Sequence, residues 1–155
     1  MFFNTEVIMV RVVSLAMALV VLVPLVKQFK ATEKAKPEPI PALVNSINAY
    51  RAQHGLPAMI YSPELQAAAK RHATDMANRN QLDHRGGDGS SFSQRARAAG
   101  FPMTGGGEII AGGGEQEAVS MWSRSPGHNA QMLGSCRYIG ACGVGQYSCA
   151  VFGDK

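Results

Sequence analysis

The sequence has little cysteine, and what it has is poorly placed for a metal. Its three cysteines, Cys136, Cys142 and Cys149, all fall in the last twenty residues, and none forms a C-x-x-C pair. That spacing argues against a structural zinc site. There is no H-E-x-x-H, so the common helical zinc-hydrolase pattern is excluded. Aromatic residues make up only 7% and the net charge is +4. No basic stripe interleaved with aromatics is present, which argues against nucleic acid as a partner. The two glycine triplets, 105–107 and 112–114, are followed by no Lys-Ser/Thr, and no G-x-G-x-x-G opens a helix. Phosphate-loop chemistry is therefore excluded, and turns or close packing explain the triplets. No internal repeat is visible. A chain of 155 residues has room for one domain and a short leader.

The long apolar run is confined to the start. Arg11 precedes an uncharged stretch from Val12 to Val26, and Lys27 and Lys30 follow it. A positive residue before a run of about 7–15 apolar residues describes an export signal. As a helix the run reaches about 22 Å, short of a bilayer core about 30 Å thick. No good small-x-small cleavage site follows, since Phe29 sits at the third position before Ala31. Met9 is an alternative start that shortens the leader. Residues 1–30 are thus read as a signal peptide or a retained N-terminal membrane anchor. Residues 31–41, with Pro37, Pro39 and Pro41, are read as an extended, semi-rigid linker. The expected location is periplasmic, extracellular or anchored at the membrane, and a monomer is expected.

Residues 42–155 carry the folded domain. Leu43, Ile47 and Tyr50 recur at helical spacing over 42–54, and Gly55 stops that helix. Residues 59–61 form a short strand. Ser62 as N-cap and Pro63 at the first position start a second helix running to about residue 80. Its inner face is Leu65, Ala69, His72 and Met76. A glycine-rich loop over 81–91 leads to a short helix over 92–99. A strand over 108–111 precedes helices over 115–124 and from Pro126 to about residue 134. Strands over 138–144 and 147–152 close the chain as a hairpin turning at Gly145-Gln146. That register faces Cys142 with Cys149 and favours this pair among the three pairings available to an exported protein. Helices alternating irregularly with short strands predict an α+β fold with an antiparallel sheet.

Four residues draw attention by their settings. His84 sits in a glycine-rich loop, where side chains can face a cleft. Glu108 lies between Gly107 and Ile109-Ile110, where a charge needs a partner. Glu117 shares a helix with Trp122, and His128 follows the Ser125-Pro126 cap by a few residues. Two imidazoles and two carboxylates can hold a divalent metal or form a metal-free polar cluster. Other signals have plainer explanations. His72 reads as a hydrogen-bonded core residue and His54 as a partner of helix-end carbonyls. Trp122 reads as a core anchor. Ser125 reads as an N-cap whose hydroxyl is committed to backbone N–H groups, which argues against a Ser-His nucleophile.

Several stretches, in order, resemble the CAP family (cysteine-rich secretory, antigen 5 and pathogenesis-related proteins), in its compact bacterial form. They are Asn48-Ala49-Tyr50-Arg51 with His54-Gly55-Leu56, then residues 65–76 through to His84. Gly107-Glu108-Ile109-Ile110-Ala111 comes next, followed by Glu117, Trp122 and Ser125-Pro126-Gly127-His128. Gly143-Val144-Gly145 and Val151-Phe152-Gly153 end the set. The resemblance implies a three-layer α–β–α sandwich with an open cleft. It implies a cleft tetrad of His84, Glu108, Glu117 and His128, with His84 and His128 able to bind zinc or another divalent cation. Ile109 departs from the family's usual Asn. Three functions are then in competition. One is a module binding an extracytoplasmic ligand, such as a lipid, a sterol or an envelope component. A second is a metal-assisted hydrolase of peptides or cell-wall material, using Glu108 or Glu117 as base. The third is a structural envelope protein.

Overall fold

The computed structural model describes residues 39–155. The expected leader, residues 1–30, and most of the linker lie outside the described residues. Five helices and four strands follow in chain order. They are α1 (Ala42–Gln53), β1 (Ile60–Tyr61), α2 (Pro63–Arg79), α3 (Phe92–Ala98), β2 (Gly105–Ala111), α4 (Glu115–Ser123), α5 (Pro126–Met132), β3 (Tyr138–Val144) and β4 (Tyr147–Asp154). Among the described residues no helix is long and apolar enough to cross a membrane.

Helix boundaries follow local chemistry. The Ser62 side chain accepts the Leu65 N–H at the start of α2, with Pro63 in the first position. Asn80 ends that helix in the left-handed region, at φ 50°. The expected inner face of α2, Leu65, Ala69, His72 and Met76, is buried. Ser91 and Gln94 form a reciprocal capping box on α3. The expectation for Ser125 is corrected: its side chain makes no capping bond, and only its backbone carbonyl accepts, from Asn129 N–H at 2.8 Å. Pro126 removes one orphan N–H by itself, so less is left for a cap to satisfy.

The strands form one sheet in the order β1-β3-β4-β2. β3 and β4 are an antiparallel hairpin, and β2 pairs antiparallel with β4. Gly145 opens the two-residue turn at φ 57°, a value that suits glycine. The sheet is mixed rather than wholly antiparallel, because β1 runs parallel to β3. Parallel neighbours need a crossover, and here every element from α2 to α5 lies in it. β2 starts three residues earlier than its side chains suggest. Gly105, Gly106 and Gly107 continue the ladder opposite Asp154, Gly153 and Phe152.

Alternation along the strands feeds two cores. Ile109, Ala111, Ile139 and Phe152 pack on one face with α1, α4 and α5, where Trp122 is fully buried. Ile110, Cys149 and Val151 pack on the other with α2 and α3. The result is the α–β–α sandwich. α2 sits so close to the sheet that a Cβ on Gly140 would lie 2.1 Å from the Gln66 nitrogen.

The expected disulfide is absent. Cys142 does stand opposite Cys149 in the register, yet Cys136, Cys142 and Cys149 are all free thiols. The two facing sulfurs turn to separate acceptors. Cys142 Sγ donates to the Gly143 carbonyl at 3.5 Å, and Cys149 Sγ donates to Glu108 Oε2 at 3.5 Å.

Candidate functional site

Glu108 is the centre of the site. Strand alternation places it beside Ile110, on the face that packs against α2 and α3. Its carboxylate is 1% exposed, and a charge so buried needs partners. It has three. Arg95 Nη2 donates to Oε2 at 2.6 Å, Cys149 Sγ donates to the same oxygen, and His84 Nδ1 bonds Oε1 at 3.0 Å. Burial, and then the nearby Glu108 charge, push the Cys149 thiol well above its ordinary pKa, so it stays protonated and remains a donor. His72 Nε2 lies 3.8 Å from Oε1, too far for a hydrogen bond, and bonds the Asp83 carbonyl at 2.8 Å instead.

Arg95 does two jobs. It neutralises Glu108, and the same Nη2 also donates to the His84 carbonyl at 3.1 Å. Its Nη1 holds the Ser90 carbonyl at 2.6 Å. The 81–91 loop is thus fastened at Asp83 by His72 and at His84 and Ser90 by Arg95. Burial, more than any other influence, lowers the His72 pKa and keeps that ring neutral. Its reading as a hydrogen-bonded core residue matches this geometry.

The clamp fixes how His84 is presented. A carboxylate paired with a guanidinium offers only acceptors, so His84 Nδ1 carries the proton toward Glu108. The ring's other nitrogen, Nε2, has no hydrogen-bond partner among the described residues, and the side chain is 58% exposed. Asp83, His84, Arg85, Ser91 and Phe92 line an open hollow of about 270 Å³. His128, in the first turn of α5, is half-buried and close enough to His84 to feel its charge. Burial first, and His84 second, lower the His128 pKa.

Glu117 stands apart. It is exposed on α4, with its carboxylate packed over Gly113, and no hydrogen bond or ion pair among the described residues joins it to the other three. The predicted tetrad is therefore a bonded pair, His84 and Glu108, with His128 adjacent and Glu117 separate.

This arrangement corrects the expectation of a metal-binding cluster built from the tetrad. Catalytic zinc sites use three protein ligands and structural ones four. Both Glu108 oxygens are already held, and Glu117 does not join. Among the described residues no group of three or more His, Cys, Asp or Glu side chains is placed to hold a metal ion.

Arg95 escaped the sequence reading, though a signal existed. Phe92, Arg95, Ala96 and Ala99 share one helical face, and an arginine on an apolar face implies a buried anion. Arg51 follows Leu43 and Ile47 inward in the same way and is 4% exposed. The other assignments around the site hold. His54 Nδ1 lies 2.9 Å from the Tyr50 carbonyl. Ile109, in place of the family's Asn, is 1% exposed within the α1-side core.

Solved structures that share this fold include three proteins. They are an extracellular protein containing an SCP domain from Bacillus anthracis (22% identity, TM-score 0.68), an outer surface protein from Borrelia burgdorferi (21%, 0.65) and a cysteine-rich secretory protein from Staphylococcus aureus (15%, 0.60). Each likeness covers 73% of this chain, but 39%, 90% and 37% of those chains respectively. The chain thus spans well under half of the Bacillus and Staphylococcus proteins. At such identities the likeness shows the fold alone. No curated protein sequence matches the chain. Residues 44–152 do match the family model, and with the ordered motifs and the sandwich in place the chain belongs to the cysteine-rich secretory protein (CAP) family.

Proposed function

We propose that this chain is an exported binding module whose recognition surface is built on His84 and His128. One observation carries the reading: the Arg95–Glu108–His84 clamp. A general base needs an oxygen free to take a proton, whereas both Glu108 oxygens are engaged. The clamp spends its charge on holding His84 by Nδ1, in the lining of the open hollow that Phe92 shares. A fixed polar donor or acceptor next to an aromatic wall suits recognition of an extracytoplasmic lipid, sterol or envelope component. Export rests on the leader, Arg11 followed by Val12 to Val26, and is supported by the extracellular and outer-surface descriptions of the proteins that share the fold. A monomer is part of the proposal.

Native mass spectrometry of the protein purified from its own envelope fraction tests this. The expected result is a co-purifying small ligand in the wild type, depleted in His84→Ala and His128→Ala. Turnover of peptide or cell-wall substrates that disappears in Glu117→Gln would overturn it in favour of hydrolysis.

A further inference from the structure

A second cavity lies away from His84. It measures about 510 Å³ and opens at the β1 edge of the sheet, whereas Glu108 sits on β2, the opposite edge. The two sites share no residue. Its walls are apolar: Leu56 and Pro57 after α1, Ile60 on β1 and Leu133 after α5. Ile60 is 49% exposed, one of the few large apolar side chains left open to solvent.

The lining carries two cations and no carboxylate, with Ser135 and the Cys136 thiol as its other polar groups. Arg51 and Arg137 line the cavity, and no Asp or Glu does. Arg51 is 4% exposed, yet it has no ion-pair partner among the described residues. Its Nε donates to the Pro57 carbonyl at 3.0 Å. Its Nη1 donates to the Met132 and Gly134 carbonyls at 2.7 and 2.8 Å. These neutral acceptors hold the guanidinium in place but leave its net charge uncompensated. Nη2 has no hydrogen-bond partner among the described residues and is not among the polar atoms sealed from solvent. Burial works against the charge and lowers the Arg51 pKa. Asp154, the carboxylate beside Cys136, lies outside the lining and is occupied, accepting the Arg137 backbone N–H at 2.9 Å and the Cys136 thiol.

A buried cation without a counter-charge is costly. Here it sits at an apolar cavity of a size that holds small ligands, about 300–1,000 Å³. We propose that this cavity binds an amphiphilic anion: a carboxylate on Arg51 and Arg137, with a short hydrocarbon body against Leu56, Ile60 and Leu133. The head supplies the missing charge, and the body covers the exposed Ile60. This site is independent of the His84 surface and stands whether or not that surface binds a ligand.

Isothermal titration calorimetry on the full chain tests it, with octanoate, uncharged octanol and inorganic phosphate as probes. Octanoate binds, and octanol and phosphate each bind at least about tenfold more weakly, because each lacks one half of the recognition. Arg51→Gln abolishes octanoate binding, but it also loosens α1 from the end of α5 and is open to misfolding. Two exposed positions avoid that problem. Arg137→Glu and Ala58→Asp place a negative charge at the cavity and weaken octanoate on the order of tenfold or more. His84→Ala, at the other sheet edge, leaves octanoate affinity unchanged. Octanol binding as tightly as octanoate, failure of octanoate to bind, or insensitivity to both Arg137→Glu and Ala58→Asp would each overturn the proposal.

Discussion

Replacing Arg95 by methionine keeps most of the aliphatic volume in α3 and removes the one guanidinium that meets Glu108 among the described residues. Both side chains are 1% exposed, so water cannot take the place of the lost partner. Breaking one side of a buried ion pair costs about 3–5 kcal/mol. A domain of this size has on the order of 6–15 kcal/mol in all, so the variant retains a marginal fold. At roughly 4 °C per kcal/mol the midpoint of thermal unfolding falls by about 12–20 °C. Circular dichroism measures the midpoint. A double-mutant cycle with Glu108→Gln then isolates the pair. The double variant, with no buried charge left at this site, is expected to be more stable than Arg95→Met alone. A drop of less than about 1 kcal/mol for Arg95→Met, with additive effects in the cycle, would refute the clamp, because that is the range of exposed pairs.

Burial lowers the pKa of His72, and likewise of His128, relative to the unfolded chain. Their contribution is therefore complete above the ordinary imidazole range and is lost as pH falls through it, when the unfolded chain takes up protons first. Urea midpoints at about pH 7.5 and about pH 5 should show lower stability in acid, and His72→Gln should reduce the difference. Thiol titration in denaturant should count all three cysteines as free, with Cys149 unreactive until the protein unfolds because its thiol is buried and protonated; an intact mass two hydrogens short would contradict this. Gly140→Ala should destabilise by about 3 kcal/mol or more in urea melts, since its Cβ would strike the α2 backbone at Gln66.

Where physics is local, the sequence was readable. Ser62-Pro63 starts α2, Gly145-Gln146 turns the last hairpin, and apolar spacing places Leu65, Ala69, His72 and Met76 inward. Where the outcome depends on distant parts of the chain, the reading failed. The parallel pairing of β1 depends on a strand nearly eighty residues later. The register that sets Cys142 opposite Cys149 was legible, but it does not by itself decide whether the bond forms, and both thiols are free. The site was half legible. The setting of Glu108 announced that a buried carboxylate needed a partner, but nothing local identified Arg95 as that partner. That Glu117 bonds none of the other three among the described residues depends on how α4 packs, which residue spacing does not encode.

The Arg95–Glu108 clamp also sets an order of assembly. His84 belongs to a loop in the middle of the chain, but it is oriented by a carboxylate on β2, and β2 pairs only with β4, which ends at Asp154. Contacts of such long sequence separation form late. α1 and α2 can take helical shape as soon as they are synthesised, whereas the His84 surface waits for the final strand to dock. Without β4, β2 has no partner strand to hold Glu108 beneath His84. On the proposed reading, the His84 surface is therefore complete only once β4 has docked beside β2.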